Sequence, residues 1–170
     1  MNFQDVLDKR YSVRKFSDTF IGEEKLAAVL EAGRTAPTAS NKQPQRVIVA
    51  RGADALSKID ACTPCRYGAS VALVVCYDKN ECWTSPFSQD DSGPVDTSIV
   101  TTYMMLKAED AGLGTIWVLR FDPALASAQF NLPENIVPVS MLMLGYPAED
   151  AEPAERHFQR FPMEHMTLAY

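Results

Sequence analysis

Histidine is almost missing from this chain: His157 and His165 are the only two in 170 residues, and both lie far along the C-terminal tail. A zinc site built on Cys62 and Cys65 therefore lacks two further ligands at suitable spacing. A Ser/His/Asp arrangement for nucleophilic catalysis does not stand out either. Asp and Glu are scattered with no carboxylate pair to single out, so hydrolase chemistry has no motif behind it. Positive charge is also scarce. Sixteen Lys and Arg face 22 Asp and Glu, for a net charge of −6. That balance argues against a general nucleic-acid binder, because affinity for a phosphate backbone needs a basic surface. No apolar run approaches the roughly 18 residues of a membrane span, and Met1-Asn2-Phe3-Gln4-Asp5 lacks the basic and apolar regions of a signal peptide. The expectation is a cytoplasmic protein, with its four cysteines reduced rather than paired.

What is present has the proportions of a globular domain, with 46% hydrophobic and 22% charged residues. One domain over residues 1–170 suits the length. Phe3, Val6 and Leu7 recur at helical spacing. Leu26, Val29, Leu30 and Gly33 mark one face of a helix between Gly22 and Arg34, stopped by Pro37. Val47–Ala50, Val71–Cys76, Thr115–Leu119 and Val137–Leu144 read as strands, and Ala53–Ala61, Asp96–Ala111 and Pro123–Phe130 as helices. The polar stretch from Asp78 to Pro94 reads as a surface excursion, a kind of long loop that is often functional. The tail from Ala148 to Tyr170 is polar and proline-rich, and either frays or lies across something. Helices and strands intermix as α+β or α/β.

Four segments could carry chemistry. In Arg10-Tyr11-Ser12-Val13-Arg14, an extended backbone would place Arg10, Ser12 and Arg14 on one side. Two guanidiniums and a hydroxyl suit an anion such as phosphate; the bland alternative is a solvated basic patch closing a helix. Ala36-Pro37-Thr38-Ala39-Ser40-Asn41-Lys42-Gln43-Pro44 offers hydroxyls and amides able to read a polar ring, or is an ordinary loop. Gly112 and Gly114 permit positive φ and close backbone approach, but a dinucleotide fingerprint needs a third glycine and a strand-then-helix order. Cys62-Thr63-Pro64-Cys65 has the spacing of a thiol–disulfide couple but follows a predicted helix, where packing is the simpler reading.

Taken in order, these segments resemble the nitroreductase family of flavin enzymes. The matching motifs are Arg10-x-Ser12-x-Arg14-x-Phe16, Ala36-Pro37-Thr38-x-Ser40-Asn41-x-Gln43-Pro44 and Ala111-Gly112-Leu113-Gly114-Thr115-x-Trp117. Leu144-Gly145-Tyr146-Pro147 and Arg160-Phe161-Pro162-Met163-Glu164 complete the set. The resemblance implies an α+β fold with a central, mostly antiparallel sheet flanked by helices. It implies a homodimer that exchanges its C-terminal tails, with FMN at each of two subunit interfaces. Arg10, Ser12, Arg14 and Arg160 match positions that hold the phosphate, ribityl chain or pyrimidine edge, with Tyr11 in the same segment. Pro37, Thr38, Ala39 and Asn41 match the loop that reaches the flavin from the other subunit, and Leu119 and Arg120 the stretch beside the isoalloxazine N5 edge. The implied activity is ping-pong hydride transfer from NADH or NADPH through FMN to a nitroaromatic, quinone or similar small acceptor. No catalytic side chain and no metal is implied, because the cofactor does the chemistry. Alternatives are a flavin-binding protein of the same scaffold with another role, and a thiol–disulfide protein using Cys62 and Cys65. Arg120 departs from the small residue often found at its position, where it could steer an anionic substrate, favour anionic reduced flavin, or simply point to solvent.

Overall fold

The run Val71–Asp78 (β2) is apolar almost throughout and buried from end to end, as a strand must be when both of its faces are covered. On one side lies β1 (Gln45–Arg51) and on the other β4 (Ile136–Gly145), whose far edge pairs with β3 (Gly114–Val118). The order is β1-β2-β4-β3, and every neighbouring pair is antiparallel. The computed structural model describes all 170 residues. Helices α1 (Phe3–Lys9), α2 (Glu23–Arg34), α3 (Ala53–Cys62), α4 (Gly93–Asp110), α5 (Pro123–Gln129) and α6 (Met163–Met166) accompany the sheet. Side-chain alternation divides the core in two. Leu73, Val75, Leu142 and Leu144 meet Leu26 and Val29 of α2 and Val100, Met104 and Ala108 of α4. The opposite face carries Ala72, Val74, Cys76, Met141 and Met143 against Ile59 of α3 and Ala126 of α5, together with Val13 and Phe16. The α+β expectation therefore holds, and the sheet is wholly antiparallel.

Three features refine the sequence reading. Helix α4 starts at Gly93 rather than Asp96, so Pro94, read as part of the loop, occupies its first turn. Proline is at home there because a first-turn N–H has no intrahelical partner to lose. Strand β4 runs through Pro138, as read from the sequence, paired with Cys76 where the register shifts; β3 reaches only as far as Met141, so β4 is an edge on that side, where proline is tolerated. Finally, α1 buries only Val6, leaving Phe3 and Leu7 exposed. The tail ends in residues exposed from Phe158 to Tyr170. No helix is long and apolar enough to cross a membrane.

Burial in the sheet also opposes the ionisation of two groups at alkaline pH. Desolvation pushes the Cys76 thiol from its ordinary 9.0 up to about 12. Burial, then the Asp91 carboxylate, pushes the Tyr77 phenol up to about 12. Between the unfolded and folded values the unfolded state has lost a proton that the folded state keeps, so stability falls as pH rises. One such group removes about 1.4 kcal/mol per pH unit across that window. Cys76→Ala should flatten the fall of Tm between pH 9 and 12, measured by thermal unfolding in reductant. An unchanged slope would contradict this assignment.

Candidate functional site

Helix α1 ends at Lys9, and Arg10 (φ −61°, ψ 126°) turns the chain into extended backbone. The segment then runs along β3: Ser12 forms a parallel bridge with Thr115, and Val13 N–H donates to Thr115 O at 2.9 Å. Ser17 N–H donates to Tyr146 O at 2.9 Å, and Phe16 bridges Pro147. Two glycines make this approach possible. Gly112 (φ +74°) turns α4 into β3, and at Gly114 a Cβ would lie 2.6 Å from Val13 Cγ2 and 2.8 Å from Pro147 Cγ. With Val13 buried, Ser12 and Arg14 alternate to the outer side, where Arg14 Nη1 donates to Ser12 O at 3.2 Å. Tyr11 faces the other way. Its hydroxyl donates to Ala151 O at 3.2 Å and its ring meets His157 edge-on, so it seats the start of the tail.

Arginine pairing separates structural from available cations. Arg34, Arg46, Arg51 and Arg66 are ion-paired with Glu31, Glu81, Glu23 and Asp60. In a chain with 22 acidic residues, Arg10, Arg14, Arg120, Arg156 and Arg160 pair with none of them. Four of these five are candidates from the sequence. The fifth, Arg156, lines a cleft with Gln159, Arg160 and Phe161 and falls outside the matching motifs.

The loop holding Pro37, Thr38, Ala39 and Asn41 is strained. Ser40, Asn41 and Gln43 all have φ near +50°, a conformation that costs a non-glycine residue and persists only where surroundings over-determine it. Two anchors do so here. Thr38 Oγ1 accepts from Gln43 N–H at 3.0 Å. Asp96, 1% exposed, accepts from Ala39 N–H at 2.8 Å through Oδ1 and from the Ser92 hydroxyl at 2.7 Å through Oδ2. In sequence Asp96 marks only a helix start; its hold on the loop, 57 positions away, has no local signal.

Leu119 and Arg120, both exposed, follow β3. Neither backbone N–H makes a hydrogen bond within the chain, leaving two donors free. The Cys62–Cys65 turn lies beneath them. Both cysteines are buried, Cys62 Sγ donates to Lys58 O at 3.1 Å, and burial, then the Asp122 carboxylate, pushes the Cys62 thiol up. A thiol held protonated is a poor nucleophile, so this geometry lends the thiol–disulfide reading no support.

The candidates fall into two groups. The Met1 ammonium bonds Asp110 at 3.1 Å, which puts α1 and the following Arg10–Arg14 segment by the C-terminal end of α4, along β3. Ala39 is anchored on Asp96 near the N-terminal end of α4, and Asp78 N–H donates to Pro44 O beside β1. The anchors are about 20 Å apart along the helix at 1.5 Å per residue, and β1 and β3 are the two outer strands.

The sequence profile of the nitroreductase family matches residues 7–67 and 67–146. The chain belongs to the nitroreductase family. A crystal structure of a nitroreductase family protein from Clostridium difficile 630 is 40% identical, with a TM-score of 0.93, and the match covers 99% of this chain and 98% of that one. A Methanothermobacter thermautotrophicus protein named NADH dehydrogenase/NAD(P)H nitroreductase is 31% identical over 159 residues, 88% of this chain and 80% of its own length. A Desulfovibrio desulfuricans nitroreductase structure, in complex with FMN, shares the fold at 22% identity and a TM-score of 0.77, across 100% of this chain and 97% of that one. In this chain the Leu144–Pro147 motif has a clear structural part: it ends β4 where Tyr146 and Pro147 receive the Arg10–Ser17 segment.

Proposed function

We propose that this member of the family is an FMN-dependent oxidoreductase that acts as a homodimer, with the whole 170-residue chain as one FMN-binding domain. The observation that carries this reading is the set of arginines without carboxylate partners, three of which, Arg10, Arg14 and Arg160, lie in the motifs already singled out. Leaving guanidiniums unpaired on an acidic protein keeps them available to an anion, and their planar fork fits phosphate. The donor set fits FMN. Arg10, Ser12 and Arg14 hold the phosphate, ribityl or pyrimidine end, joined by Arg160 from a tail. The free N–H groups of Leu119 and Arg120 face the edge of the ring, where donors favour developing negative charge. Bound FMN would supply two-electron chemistry: acceptance of a hydride from NADH or NADPH and, in ping-pong order, its delivery to a nitroaromatic, quinone or similar small acceptor.

The separation of the two groups of candidates supports a site built from two subunits. A second copy brings the Pro37–Asn41 loop of one chain to the Arg10–Arg14 segment of the other. Apolar surface supports the same assembly. Helix α4 is apolar around its circumference, with Val100 and Met104 inside and Val95 and Tyr103 exposed, and a helix of that kind is normally covered on both sides. Phe3 and Leu7 of α1 and Phe158, Phe161, Met163, Met166 and Leu168 of the tail are also exposed. Tail exchange buries them and delivers Arg160 to the site.

An absorbance spectrum of the purified protein, with chromatography of the heat-released chromophore, tests this reading. FMN near one per subunit is expected, followed by bleaching on anaerobic titration with NADH or NADPH. Bound FMN that neither nucleotide reduces would make the protein a flavin carrier on the same scaffold. A protein that neither contains nor takes up FMN would overturn the proposal.

A further inference from the structure

The Cys62-Thr63-Pro64-Cys65 turn is a motif to which the proposed activity gives no part. Between its two buried thiols, Thr63 is 2% exposed and fully engaged. Its hydroxyl donates to Arg120 O at 2.6 Å and accepts from Cys65 N–H at 3.1 Å. One residue earlier, Cys62 O accepts from Asp122 N–H at 3.0 Å. The end of α3 thus grips the chain past β3 at two points. Between them Phe121 N–H donates to Leu119 O at 3.1 Å, closing a three-residue turn.

This bonding has a directional consequence. Every peptide in the chain is trans, and a trans peptide points its C=O and N–H in opposite directions. With the Leu119 carbonyl turned onto Phe121 N–H, the N–H of Arg120 is aimed away from the turn, and it has no partner in the chain. The next peptide is held in the same way, its carbonyl by Thr63 and its N–H by Leu119.

We propose that Thr63 is a positioning residue whose hydroxyl locks the Leu119–Phe121 turn so that the Arg120 N–H is held toward the ring edge of the bound cofactor. The assignment rests on the FMN reading above. A donor fixed before charge develops stabilises that charge without reorganising. Removing the hydroxyl leaves the Arg120 carbonyl and the Cys65 N–H without their partner, and the turn loses its brace.

Thr63→Val keeps the shape of the side chain and deletes both hydrogen bonds; Thr63→Ser keeps the hydroxyl. The readouts are the midpoint potential of bound FMN, by equilibration with a reference dye, and the FMN dissociation constant. The valine variant should retain FMN within about threefold, because Arg10, Ser12 and Arg14 are untouched. Its preference for reduced over oxidised FMN should fall about tenfold, which for a two-electron couple lowers the potential by about 30 mV. The serine variant should keep the wild-type potential. A valine variant that binds FMN at the wild-type potential overturns the positioning role and leaves the FMN reading intact. So does a serine variant shifted as far as valine, because side-chain shape would then be the cause. Wild-type protein that takes up no FMN overturns both readings. If the valine variant does not fold, Thr63→Ala against Thr63→Ser makes the same comparison.

Discussion

Replacing Arg10 and Arg14 together with alanine should weaken FMN binding by more than a hundredfold while leaving the fold in place. Neither guanidinium is in a salt bridge, and the one carboxylate that loses a longer-range charge partner is Glu109, which keeps Lys9. The only side-chain hydrogen bond lost is that of Arg14 to the Ser12 carbonyl. Hydrogen bonds to a charged group contribute at least about 1.5 kcal/mol each, so two of them amount to about 3 kcal/mol, or just over two decades in the dissociation constant. Flavin fluorescence titration measures the loss, and circular dichroism with thermal unfolding checks the fold. Arg34→Ala is the control: that residue is held by Glu31 on α2 and belongs to neither group of the site. An affinity unchanged in the double variant, or an equal loss in Arg34→Ala, would show that the unpaired arginines serve some other end.

A single methyl group at Gly114 should be felt in both stability and binding. It would be placed 2.6 Å from Val13 Cγ2 and 2.8 Å from Pro147 Cγ. Val13 is 1% exposed and β-branched, and the Pro147 ring is rigid, so neither can swing aside. The segment from Ser12 to Ser17 must lift from β3, straining the Ser12–Thr115 bridge that aligns Arg14. Overpacking of this kind costs about 1–3 kcal/mol, and at this chain length each kcal/mol lowers Tm by about 2–4 °C. Gly114→Ala should therefore melt about 2–12 °C lower and bind FMN more weakly. A variant with unchanged Tm and unchanged affinity would mean that β3 and the Arg10–Arg14 segment are not packed together as described.

The two substitutions probe different layers of the same segment. Alternation in Arg10–Arg14 was legible from residue types alone, because period two needs nothing but an extended backbone. What makes the backbone extended is the edge of β3, a hundred residues further on. The same contrast runs through the elements. Val71–Asp78 announces itself as a central strand by an uninterrupted apolar run. The start of α4 does not, because Gly93 and Pro94 carry loop chemistry and are helical only by context.

The sequence by itself determined the order and approximate extent of the strands and helices, which segments carry candidate donors, and the family to which they point. Those properties follow from side-chain period, turn chemistry and residue type, all of which act over a few neighbours. Tertiary structure alone decided that Ala39 hangs on Asp96 and that Arg120 is braced by Thr63, each pair 57 positions apart. It also decided which arginines are taken up by carboxylates and which stay free, and it set the two halves of the proposed site at opposite edges of one sheet. A hydrogen bond needs its partners within about 3 Å and aligned. At such separations along the chain only the packing of the sheet and its helices brings the two groups that close.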